Sequence, residues 1–127
     1  MDTGRDQSYH IGNPAVDASG QALVDLKNQL FASEDWMALR PIIVALFKQM
    51  SSHFELEQAL MRQLNYPDVQ HHQAQHQDLL ERLEDRSMDV GKGHMNKKAI
   101  VAVMNDWADQ HVTTADAALA RFLAAKA

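Results

Sequence analysis

Two pairs of residues spaced four apart, His53 with Glu57 and His72 with His76, each couple side chains that can ligate a metal ion. On a helix, residues four apart lie one turn apart on the same face, so each pair offers two donors to one neighbour. His111 adds another imidazole, and Asp116, five residues on, another carboxylate. Any one of these alone reads as a hydrogen-bonded core residue, or as a polar residue that fixes helix register. Together they read differently. A buried Glu among several imidazoles carries a heavy desolvation cost without a cation, whereas a divalent or trivalent ion makes each side chain a bonded ligand. Imidazole and carboxylate donors suit Fe, Zn, Mn or Cu, and this set of four His and two carboxylates exceeds what one tetrahedral zinc accepts. Two metals bridged by carboxylates fit it better.

The elements that must position these donors are four helices, predicted over about 16–31, 35–65, 68–86 and 96–124. The second carries a seam of Ile43, Leu46, Met50, His53, Glu57, Leu60 and Leu64, alternating steps of three and four as a buried bundle stripe does. Ser33, Glu34 and Asp35 suit its start, and Pro41 predicts a kink or a boundary nearby. Pro67 ends it and Asp68 can cap the third helix, whose seam is Val69, His72, His76, Leu79 and Leu83. A loop with Gly91 and Gly93 then leads to a fourth seam of Ile100, Met104, Trp107, His111, Ala118 and Phe122. Asp116 falls about 140° round an ideal α-helix from His111. On periodicity it is a solvated flank carboxylate, and only a local π-bulge or a place at the stripe's edge brings it to a metal. His71 is one residue out of register and His94 sits in the glycine-flanked loop, so both are expected at the surface. The breaks between helices are short, so the expected fold is all-α: an up-down-up-down antiparallel four-helix bundle. Residues 1–15, polar and holding Gly4, Gly12 and Pro14, form an irregular N-terminal arm.

Composition sets the outer bounds. The 127 residues suit one domain with one core. A net charge of −5 and a lone basic pair, Lys97 with Lys98, argue against a nucleic-acid partner. With no cysteine, disulfides, zinc fingers, thiolate haem ligation and iron–sulfur clusters are excluded. No apolar run approaches the roughly 20 residues that span a bilayer, and the start lacks the pattern of a signal peptide, so the expectation is no membrane and a cytoplasmic location.

The segment HFELEQALM at 53–61, followed by Tyr66-Pro67 and by His72-x-x-x-His76, resembles the hemerythrin pattern HFxxEExxM, YP, HxxxH. The segment WADQHVTTADAAL at 107–119 resembles that family's WLxxHIxxxDxxL with the same spacing. The resemblance spans about residues 11–123 and implies a non-haem di-iron centre. It assigns His72, His76 and His111 to iron 1, His53 to iron 2, and Glu57 and Asp116 as bridges. It further implies an oxo or hydroxo bridge, with dioxygen binding reversibly at the open position of iron 2. Leu23, Phe54, Trp107 and Val112 are core residues that the resemblance also makes walls of the ligand pocket.

The first helix departs from the family pattern. Asp17 on one side and Asn28-Gln29-Leu30 on the other align the missing iron 2 histidine with Gly20. Ala108 stands where the family usually has a pocket-lining Leu. Both changes predict a looser iron 2 with an extra water, weaker binding and faster autoxidation, and His10 in the arm is an alternative donor. The resulting expectation is a sensor or binding module for dioxygen or redox state, more a ligand-binding domain than an enzyme, able to sit in front of a C-terminal signalling output domain. The alternatives are a di-iron oxidase, peroxidase or nitric-oxide-reactive enzyme, and a mononuclear or structural bundle.

Overall fold

The computed structural model describes residues 9–91 and 97–126, and every regular element among them is helical. Helices α1 (Pro14–Ala32), α2 (Trp36–Gln63) and α3 (Val69–Gly91) pack with a fourth rod as a helical bundle. That rod is composite: α4 (Lys97–Asp106), a π-helix (Trp107–Asp116) and α5 (Ala117–Lys126) follow one another without a break. Among the described residues no helix is long and apolar enough to cross a membrane.

Local chemistry sets the ends. Asn13 caps α1 by accepting from the Val16 N–H, and Pro14 occupies the first turn, where an absent N–H needs no partner. Asp35 caps α2 by accepting from Met37 N–H. After α2, Asn65 takes a left-handed φ of 54°, a conformation that Asn tolerates better than most residues, and the chain turns into Tyr66 and Pro67.

Of the kink or boundary expected at Pro41 the boundary is absent, as the predicted span 35–65 has it, and the end of the third helix is corrected. Pro41 lies inside α2 and makes no boundary. Pro41 and Met37 are both exposed, so water can take the Met37 carbonyl that the proline leaves without an N–H. Helix α3 runs on from Arg86 to Gly91, because Ser87, Met88, Asp89 and Val90 include no helix breaker and the first glycine marks the end. Of the expected loop residues, Gly93 and His94 lie outside the described residues.

The core follows the predicted seams through most of the chain. Ile43, Leu46, Met50 and Leu60 of α2, Leu79 and Leu83 of α3, and Ile100 and Met104 of α4 are all buried. In the fourth rod the register changes beyond His111: Leu119 is fully buried, whereas the predicted Ala118 and Phe122 are half-buried. Each π hydrogen bond spans one residue more than an α one, so the stripe slips past its α-helical positions.

Of the arm's described residues, 9–13 are irregular and tied down, and helix α1 begins at Pro14. Tyr9 and Ile11 are buried. Asp17 accepts from the N–H groups of Ile11 (2.7 Å) and Gly12 (3.3 Å), and Gln21 accepts from that of Tyr9 at 3.1 Å. Gly12 has φ +107°, which L side chains rarely adopt, and this turn lets the arm lie back along α1.

Candidate metal centre

Three rods deliver the donors: α2 supplies His53 and Glu57, α3 supplies His72 and His76, and the π-helix supplies His111 and Asp116. All six are buried, none more than 5% exposed. One donor atom from each of Glu57, His72, His76, His111 and Asp116 lies within 4.8 Å of every other, so this buried group can hold a metal ion. His53 stands just outside that set, with Nε2 3.9 Å from Glu57 Oε1.

Asp116 joins because the segment from Trp107 to Asp116 is π-helical, which carries an i+5 carboxylate toward the face of His111. Its Oδ1 is 3.2 Å from His111 Nε2 and 2.9 Å from His72 Nε2, while Glu57 Oε1 is 2.9 Å from His76 Nε2. None of these atoms makes a hydrogen bond despite the short distances: His72, His76 and His111 Nε2, Glu57 Oε1 and Asp116 Oδ1 are all buried without one. Both ring nitrogens of His53 are in the same position. Native proteins rarely leave such groups unsatisfied, and here the orphans gather at one place. Bonds of about 2.1 Å to an octahedral ion put neighbouring donors about 3 Å apart, the spacing of the three tightest carboxylate–imidazole pairs here. Burial, orphaned donors and their chemistry therefore fit a metal.

Outer contacts fix the imidazoles. His111 Nδ1 is 2.9 Å from Gln75 Oε1, so it donates there and leaves its Nε2 lone pair inward. Gln58 Nε2 lies 3.0 Å from His76 Nδ1, and the amide turned over, with its oxygen toward the ring, would hold the same tautomer as in His111. Phe54 stacks on His76 with centroids 3.8 Å apart.

Without a cation the protons redistribute. Burial pushes His72 down, but Asp116 and Glu57 outweigh it and hold the imidazole up at about 9. Burial, with the charges of His111 and His72, drives His76 down to about 2. Burial also lowers His53. Burial and the Asp116 charge raise Glu57, whereas the contacts of Asp116 with His111 and His72 overcome its burial and hold it well below the usual carboxylate range. One carboxylate thus stays charged while its partner resists charging.

The side opposite the three imidazoles corrects an expectation. Gly20 is buried facing the site, but the space beside it is filled by the ring of Tyr9, which is 5% exposed. A Cβ built on Gly20 would lie 2.2–2.6 Å from Tyr9 ring atoms. The Tyr9 hydroxyl donates towards Glu57 Oε2 at 2.7 Å and Asp116 Oδ2 at 3.0 Å. The ring lies edge-on to His53 (4.9 Å) and stacks beside Trp107 (6.2 Å). His10 is not the donor: its side chain is 79% exposed and faces Asp17 at 3.7 Å. The other pocket residues are placed as core, with Leu23, Phe54, Trp107 and Ala108 buried and Val112 half-buried. His71 is exposed, 3.4 Å from Asp68.

Tyr9 escapes a reading by periodicity because an irregular arm has no repeat to place its side chains. Two signals point to it: an inward glycine in mid-helix, and an aromatic residue just before the Gly12-Asn13-Pro14 turn. No family model, no curated protein and no solved structure matches the chain.

Proposed function

We propose that this chain is a non-haem di-iron protein of the hemerythrin kind that binds dioxygen or a related small ligand in oxygen or redox sensing. The observation that carries this reading is the convergence of three imidazole Nε2 atoms and two carboxylate oxygens, all buried and all without hydrogen bonds. His72, His76 and His111 would hold one iron, His53 would face the second, and Glu57 and Asp116, with two oxygens each, would bridge. Two ferrous ions held there would supply electrons to dioxygen. The protein's part is to exclude bulk water, to set the His111 tautomer through Gln75, to orient His76 through Gln58, and to hold both carboxylates in bridging positions. An up-down-up-down helix order and a cytoplasmic location belong to the same proposal.

A one-metal bundle is the second reading. It is favoured by the tight five-donor set that omits His53 and by the Tyr9 hydroxyl on the outer carboxylate oxygens. Anaerobic reconstitution with ferrous iron separates the two. Two irons per chain, with an absorption spectrum that changes on exposure to air and to azide, are expected. One metal per chain would sink the di-iron reading.

A further inference from the structure

We propose, on the basis of the two-metal reading, that Tyr9 is an oxygen ligand of the second metal, its phenolate taking the place of the imidazole that position 20 lacks. Three observations converge on this assignment. The first is the cradle: no side chain at position 20 larger than hydrogen is compatible with the Tyr9 ring where it lies, because an added Cβ would meet Cδ1, Cγ and Cε1 at 2.2, 2.3 and 2.6 Å.

The second is the aim of the hydroxyl. Glu57 and Asp116 each turn one oxygen, Oε1 and Oδ1, toward the three imidazoles. Their other oxygens, Oε2 and Oδ2, are the ones Tyr9 reaches, so its hydroxyl marks the far side of the bridge. Its distances of 2.7 and 3.0 Å to those oxygens are the spacing of adjacent donors around an octahedral ion, about 3 Å. His53 is beside the same ring, buried, with both nitrogens unpartnered.

The third is the tether. Gln21 holds the Tyr9 N–H, and Asp17 holds those of Ile11 and Gly12. The phenol is therefore fixed over the site before any metal arrives, which lowers the ordering cost of ligation. On loading, the phenol O–H bond breaks, an O–metal bond forms and the proton passes to water. No electron moves in this step.

The test uses the full chain, loaded anaerobically with ferrous iron and then oxidised in air. The readouts are iron per chain, visible absorption and resonance Raman of the ferric protein. The unsubstituted chain should hold two irons and show a phenolate-to-iron charge-transfer band with tyrosinate ring modes, which imidazole and carboxylate ligands do not give. Tyr9→Phe should lose the band and the modes and bind the second iron at least tenfold more weakly. Gly20→Ala, which keeps Tyr9 but fills its cradle, should weaken both signals too, and it keeps the idea testable if Tyr9→Phe does not fold.

Two irons without tyrosinate modes, or two irons and an unchanged spectrum in Tyr9→Phe, would overturn the ligand role and leave the di-iron reading standing. One iron in the unsubstituted chain that rises to two in Tyr9→Phe would make the hydroxyl a plug held by the two carboxylates, again overturning it. A chain that takes no iron, or one iron with and without Tyr9, would remove the two-metal reading itself.

Discussion

His72 sits against two carboxylates and is held at about 9, above its ordinary 6.5, so the metal-free protein carries a proton there at neutral pH. A metal must displace that proton. The His72 proton should therefore make affinity on the three-imidazole side rise about tenfold per pH unit, a contribution that ends above the His72 value, where that imidazole is already free. Metal titrations at several pH values between 6.5 and 9 check the slope. The same shift fixes the sign for the metal-free fold. A raised pKa stabilises fully below 6.5 and is lost as pH rises through about 9, so the denaturant midpoint of the metal-free chain should fall across that window. The two sides of the centre should also separate by mutation. His111→Ala should weaken the three-imidazole side more than tenfold, whereas His53→Ala should leave one metal there, and counting metal per chain distinguishes them. The paired donors were legible in the sequence because i, i+4 spacing sets His53 with Glu57 and His72 with His76 on apolar seams, where polar side chains are costly unless something bonds them. Tyr9 was not, since its approach depends on the glycine turn at Gly12 and on side-chain hydrogen bonds that no local pattern encodes.

Among the elements, the π-helix accounts for both the success and the failure of periodicity. Steps of three and four placed Trp107 and His111 on the buried face, then misplaced Asp116 and put Ala118 where Leu119 stands. A ten-residue π stretch is rare and has no sequence signature of its own, so sequence could name it only as a condition for Asp116. Two threonines support it: Thr113 Oγ1 donates to the Asp109 carbonyl at 2.7 Å and Thr114 Oγ1 to the Gln110 carbonyl at 2.6 Å. Replacing each by Val keeps the shape and removes the bond, and each change should cost about 1 kcal/mol in urea unfolding. The arm has its own weak point. At φ +107°, Gly12→Ala should destabilise the chain by about 1–2 kcal/mol, and part of the second metal's affinity should go with it as the Tyr9 tether loosens.

For the whole molecule, a layer of imidazoles and carboxylates interrupts an otherwise apolar core, and without a cation that layer is a set of unsatisfied groups. Stability should therefore depend strongly on occupancy. Metal at a thousand times its dissociation constant adds about 4 kcal/mol, which for a domain of this size raises Tm by roughly ten degrees or more. Calorimetry with and without a chelator measures the difference; equal Tm values would mean that the layer is satisfied some other way. The four-rod plan was readable because each rod carries its own stripe, while the third rod's end was misplaced because the predicted seam stops at Leu83 and no breaker marks an end before Gly91.

One arrangement within the core has a practical side. Trp107 is fully buried, stacked beside Tyr9 and edge-on to His53, so its indole lies next to whatever the centre holds. The chain has one other tryptophan, Trp36. In a Trp36→Phe background the single remaining indole would be an intrinsic optical probe, its emission dimming as iron enters and recovering as it is stripped, with no external label needed to follow loading in real time.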